Sequence, residues 1–245
     1  ARSRPLPAPH HAAHRASMAL RVAGWLAAAL LASGCAAIQP ARVALPDGLA
    51  ARTELVEAHG LGSGTRGGAD VDGLRIDFQR SASRLALFGE FNVQERAALR
   101  MTTRTADGSV GNVDCNVRRR TMSVGVVEWV AKPLALQCDI APLQAKLVLQ
   151  EQRSGLGTLK VARQGELAVD GRVLTVRSLH QAEGGLVELP QPLGYVLEAD
   201  GRAVAAVEVN GSTPRLFLPV GDAALRRASV PVLMALALTW DVAGG

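Results

Sequence analysis

Ser178 and His180 stand two positions apart in a run of strand-like residues, so an extended backbone places both side chains on one face. A hydroxyl beside an imidazole is the beginning of a nucleophile–base pair. Hydrolysis also needs a buried acid to orient the ring and an oxyanion hole, and the chain has no G-x-S-x-G elbow. Gly62-Ser63-Gly64-Thr65-Arg66-Gly67 has the glycine spacing of a dinucleotide loop. A dinucleotide needs a helix opening at those glycines, whereas here a glycine-rich stretch leads into a strand pattern, so the segment reads as a loop. Asp70-Val71-Asp72-Gly73 opens like a calcium loop, but Gln79 and Ser81 replace the carboxylates that should follow. These residues lead us to expect no catalytic group, no metal and no cofactor.

Arg118-Arg119-Arg120 is the densest charge run. It fits a solvated strand end or turn. The alternative is contact with anionic phosphates of lipid headgroups or lipopolysaccharide. Three cysteines remain, Cys35, Cys115 and Cys138, and their chemistry depends on where the chain resides.

The elements that must position these groups read as β. Leu74-Arg75-Ile76-Asp77-Phe78-Gln79 alternates apolar and polar, the pattern of a half-buried strand. Leu85, Leu87, Phe91 and Val93 read as one face of a further strand, opposite Glu90, Asn92 and Gln94. Other strand candidates are Thr53–Ala58, Leu99–Arg104, Asn112–Arg118, Met122–Val130, Leu134–Cys138, Ala145–Gln150, Thr158–Ala162, Glu166–Val169, Val173–Ser178, Tyr195–Glu198, Ala203–Val209 and Arg215–Leu218. Asp107-Gly108, Asp170-Gly171, Asp200-Gly201 and Asn210-Gly211 supply the positive φ of tight hairpin turns. Many short strands joined by short turns predict an antiparallel meander, closed as a barrel or folded as a sandwich. The C-terminus differs. Asp222 can cap a helix, and Ser229-Val230-Pro231 can open an apolar one through Trp240. A further core strand is the alternative there.

Met18 to Cys35, MALRVAGWLAAALLASGC, has one Arg, an apolar run and small residues before a Cys. A bilayer span needs about 20 apolar residues, and this run is shorter. A positive start, a short apolar core and small residues make an export signal. Its end, Leu31-Ala32-Ser33-Gly34-Cys35, resembles the lipobox of bacterial lipoproteins, with Ala32 where Leu is commoner. The resemblance implies cleavage before Cys35 and acylation of that residue, and several acyl chains anchor far better than one. Ala36 rather than Asp after the Cys implies the outer membrane facing the periplasm, by enteric-type sorting, over the inner membrane. The resulting division is a mis-assigned leader at 1–17, a signal peptide at 18–34, a lipidated Cys with its tether at 35–50 and a single β domain at 51–245. His10, His11 and His14 then fall in the leader rather than in a metal site.

Export changes the charge and the cysteines. Residues 1–34 carry four Arg and no acid, so their loss lowers the net charge from +5 to +1. That near-neutrality, with 3% aromatic residues, argues against a nucleic-acid partner. Cys115 and Cys138 lie in an exported chain, where a disulfide persists; two buried thiols are the alternative, and no nearby His or Cys completes a metal site.

The final hairpin, GYVLEADGRAVAAVEVNG, followed by VPVLMALALTW, resembles the end of tubby-like β-barrels, the group that includes the phospholipid scramblases. That resemblance implies a barrel threaded by its C-terminal helix. The family's phosphoinositide-binding basic residues find no match here. The function expected is a non-catalytic, lipid-anchored envelope lipoprotein that interacts with an envelope protein or lipid. The alternative is a barrel that binds or carries a lipid or other apolar ligand.

Overall fold

The alternation read in the sequence becomes one continuous antiparallel sheet. The structure, a computed structural model, describes residues 40–62, 64–87, 91–125, 127–141, 143–152, 160–169 and 171–239. Twelve strands follow in order: β1 Thr53–Glu57, β2 Arg66–Val71, β3 Leu74–Leu87, β4 Asn92–Arg104, β5 Val110–Val124, β6 Val127–Ala141, β7 Ala145–Glu151, β8 Arg163–Val169, β9 Arg172–Leu179, β10 Gly194–Ala199, β11 Arg202–Glu208 and β12 Arg215–Pro219. One helix, α1, spans Ala223–Leu238. Each of β3 to β11 pairs with both of its sequence neighbours, β2 pairs with β3, and β12 pairs with β11 and β1, so the meander curls almost into a ring. The edges β1 and β2 are joined by the His59–Asp70 bridge, with Asp70 N–H donating to His59 C=O at 3.2 Å. The chain is a nearly closed, mainly β barrel with a C-terminal helix, as the turn spacing predicts.

The helix lies inside the ring. It packs against β10–β12 on one side and β4–β6 on the other. Every residue from Ala228 to Leu236 is buried, so no face of this segment meets water. Asp222 caps it, its carboxylate accepting from Leu225 N–H at 2.9 Å. The second start expected at Ser229 is absent. Ser229 Oγ donates back to Leu225 C=O at 2.7 Å, and Pro231 sits in the helix interior. Pro231 has no N–H, so Arg227 C=O, four residues earlier, loses its helical donor.

Two expectations about strand ends change. Met122–Val130 is not one strand: Gly125 has φ 62° and turns β5 into β6. Leu85 and Val93 do not share a face, because the chain reverses between β3 and β4. Leu85 pairs with Gln94, and Val93 faces the core. Of Thr158–Ala162, residues 158–159 lie outside the described residues and 160–162 are not strand. Asp200 and Gly201 take φ 48° and 73°, the two positive values of a type I′ hairpin. Gly211 does not have positive φ. Asn210 instead donates through Nδ2 to Ala41 C=O in a longer connection.

Residues 40–50, read above as tether, pack on the barrel. Val43 and Leu49 join Leu179, Leu193, Val196, Ala203, Ala206 and Phe217 in a second core on the outer face of β9–β12. Glu208, buried, holds this strap: it accepts from Val43 N–H at 3.2 Å and pairs with Arg215 at 3.1 Å and Arg42 at 3.4 Å. Residues 1–39, with Cys35, lie outside the described residues.

The connections alternate between two rims. One rim carries the β2–β3, β4–β5, β6–β7, β8–β9 and β10–β11 turns and the start of α1. The other carries the β3–β4, β5–β6, β7–β8, β9–β10 and β11–β12 connections. The chain reaches the barrel at Pro40 on this second rim, beside Asn210 and the Val43–Ala182 bridge.

Candidate functional site

At the helix-entry rim a pocket of about 280 Å³ opens between α1 and the sheet. Leu74, Val113, Ile140, Leu143, Val230 and Pro231 supply its apolar wall. Thr103, Thr105 and Ser109 place hydroxyls at its margin, and Arg227 stands exposed beside it with no ion-pair partner among the described residues. The neighbouring Arg226 is committed instead. It pairs with Asp72 of the β2–β3 turn at 2.6 Å and Glu54 of β1 at 2.9 Å, so one guanidinium ties both edges of the seam. These carboxylates, Asp72 first, raise the Arg226 pKa above its ordinary value.

The Asp70–Asp72 pair is thereby explained as hairpin chemistry. Asp70 accepts from Arg75 at 2.8 Å, Asp72 from Arg226, and Asp72 and Gly73 take φ 50° and 74° as the β2–β3 turn. Among the described residues no three His, Cys, Asp or Glu converge as metal ligands. Gly67 lies within β2 under the Phe78 ring, so the end of the segment read as loop is strand, with Gly fitting beneath the ring, and no helix opens there.

Ser178 and His180 do meet. Ser178 Oγ lies 2.8 Å from His180 Nε2, and His180 Nδ1 lies 2.9 Å from Leu189 C=O. The carbonyl only accepts, so Nδ1 carries the proton and Ser178 donates to Nε2. Ser178 Oγ also accepts from Arg163 N–H at 2.8 Å. Both residues are buried, and the ring is oriented by a neutral carbonyl where a hydrolase would use an acid. The arrangement pins the long β9–β10 connection to the barrel. Burial, the largest influence, pushes the His180 imidazole below the usual histidine range. Beside it Arg163, also buried, donates to Tyr195 Oη at 2.7 Å.

Cys115 and Cys138 face each other across β5 and β6, their sulfurs 2.06 Å apart, at disulfide distance, inside the barrel core. The arginine run divides. Arg118 points outward and is exposed; among the described residues it has no ion-pair partner. Arg119 points inward, pairing with Glu95 at 3.1 Å and approaching Glu151 at 3.9 Å. Arg120 donates through Nε to Asn92 Oδ1 at 2.8 Å. The register shifts here because Pro133 cannot donate to the ladder. Glu151 fills the gap by accepting from Leu134 N–H at 3.3 Å. Of the run, Arg119 is therefore already paired with carboxylates, whereas among the described residues Arg118 and Arg120 are not.

Sequence reasoning missed the pocket, because its walls come from three separate hairpins and the helix. The one local signal was Pro231 beside Arg227. Comparison with family models, with curated proteins and with solved structures returns no match.

Proposed function

We propose that the chain is a lipid-anchored lipoprotein of the bacterial envelope, held by acyl chains on Cys35 in the outer membrane facing the periplasm. Its barrel acts as a non-catalytic interaction module for an envelope protein or lipid. The observation that carries this reading is the occupation of the barrel by α1. A lumen filled by the protein's own buried helix leaves outer surfaces and rims as the parts that act. The helix-filled ring also supports the likeness to tubby-like barrels. No helix among the described residues is long and apolar enough to cross a membrane.

The test is fractionation of cells expressing the full chain or its Cys35→Ala variant. The reading expects the full chain to stay with membranes after an alkaline wash, incorporating labelled palmitate, and the variant to take up no label. A full chain washed free without label contradicts it.

The pocket at the helix-entry rim favours a second reading, a site for a small apolar ligand bearing an acidic group. Its volume of about 280 Å³ is near the lower end of ligand sites. Binding of a fluorescent short-chain fatty acid, lost in Leu143→Glu and weakened in Arg227→Ala, would support it. Equal binding by all three proteins removes it.

A further inference from the structure

Four strands overshoot the barrel. β3 to β6 have 14, 13, 15 and 15 residues, whereas the others have 5 to 8. The excess lies at the second rim, where residues 81–86 of β3 are exposed on both faces. The two long hairpins form a four-stranded tongue. Its register stacks the outward side chains in rows. Nearest the barrel comes Ser83–Arg96–Arg118–Ala135, then Leu85–Gln94–Arg120–Lys132. Beyond these come Leu87–Asn92–Met122–Trp129 and finally Val124–Val127. The inner two rows carry four cations and no acid. The outer two are largely apolar.

Water is a poor solvent for that tip. Val124 is 57% exposed, Val127 61%, Trp129 43% and Phe91 41%. A contiguous exposed apolar patch on a folded domain marks a contact surface. Rows lie about 7 Å apart along a strand, so the tip extends roughly 7–14 Å beyond the Arg120–Lys132 row. That matches the depth of about 5–10 Å at which interfacial elements bury their apolar side chains. The cations then sit at phosphate level.

We propose that this tongue is a membrane-docking surface, with Phe91, Val124, Val127 and Trp129 entering an anionic phospholipid leaflet and Arg96, Arg118, Arg120 and Lys132 meeting its phosphates. The place where the chain enters the barrel agrees. Pro40 lies on the same rim as the tongue. Cys35 is five residues away, a reach of at most about 18 Å along an extended chain. An anchor there presents this rim, and not the helix-entry rim, to the bilayer. In that respect the proposal rests on the lipoprotein reading; the tongue's own chemistry does not.

The experiment mixes the full-length chain with vesicles of phosphatidylcholine, alone or with added phosphatidylglycerol, brominated on their acyl chains. Acylation of Cys35 is read separately by mass. The emission of Trp129 is the difference between the chain and its Trp129→Phe variant. Docking predicts that this emission is quenched in anionic vesicles, less so in neutral ones, and recovers as salt rises. The double variant Val124→Asp, Val127→Asp, at exposed positions that spare the fold, loses vesicle contact at the tongue, so its Trp129 emission stays bright. Arg118→Glu with Lys132→Glu removes the preference for anionic lipid. Trp129 emission that is unchanged in brominated anionic vesicles overturns the proposal, whether the tongue is then bare or covered by protein. A non-acylated chain whose Trp129 is quenched overturns the anchor and upholds the tongue.

Discussion

His180 shows how a residue suited to catalysis becomes structural. The Ser178–His180 spacing was legible, since two positions on a strand share a face, and the structure brings the pair to 2.8 Å. The partner of Nδ1 was not legible, because Leu189 comes from a connection with no periodic pattern. With burial holding the folded-state pKa below its unfolded value of about 6.5, the unfolded chain binds the proton first. This residue's contribution to stability is therefore full above about pH 6.5 and is lost as pH falls through the depressed folded value. Denaturant midpoints taken across that range should fall on acidification and flatten in His180→Gln. A His180→Gln protein with the same pH slope as the parent would show that other groups set it. The arginine run makes the same point. Three identical neighbours take three different roles because alternation and the Pro133 irregularity aim them differently.

At the scale of elements, alternation and Asp-Gly turns carried most of the fold. Leu74–Gln79, Asp200-Gly201 and the Asp222 cap all lie where their local chemistry places them. Three features were hidden. The Gly125 turn sits among apolar residues and lacks the polar flank that marks a hairpin. The strap at 40–50 has no period of its own; it is ordered by the apolar outer face of β9–β12 and by Glu208. The helix continues through Pro231 because burial on every side outweighs the lost hydrogen bond, a local penalty of about 3 kcal/mol. The seam offers a sharp test. Arg226 is one-fifth exposed and binds both edges. Charge-assisted hydrogen bonds of this kind contribute about 1.5–3 kcal/mol, discounted here for the exposed Glu54. Arg226→Ala should cost roughly 1–2 kcal/mol and speed amide exchange in β1 and β2 ahead of the other strands. Uniform exchange across the sheet would mean that the seam needs no clasp.

For the whole molecule, the buried helix decides which surfaces are left to act. A ring that encloses its own helix keeps its stability inside and presents its chemistry at the rims. The Cys115–Cys138 pair reinforces the side from which the tongue rises. On the chain-entropy estimate, a bridge across so short a loop contributes about 3 kcal/mol. Reduction of the intact chain should lower the unfolding midpoint accordingly, while Cys115→Ser with Cys138→Ser should be insensitive to reductant. A parent equally insensitive would mean the thiols are not bridged.

The anchor is the claim on which orientation and partner both depend. The direct measurement is the mass of the N-terminal peptide of the chain extracted from membranes. The account predicts a chain beginning at Cys35, its sulfur bearing a diacylglyceryl group and its amino group acylated. A peptide running intact from Met18 through an unmodified Cys35 would contradict it.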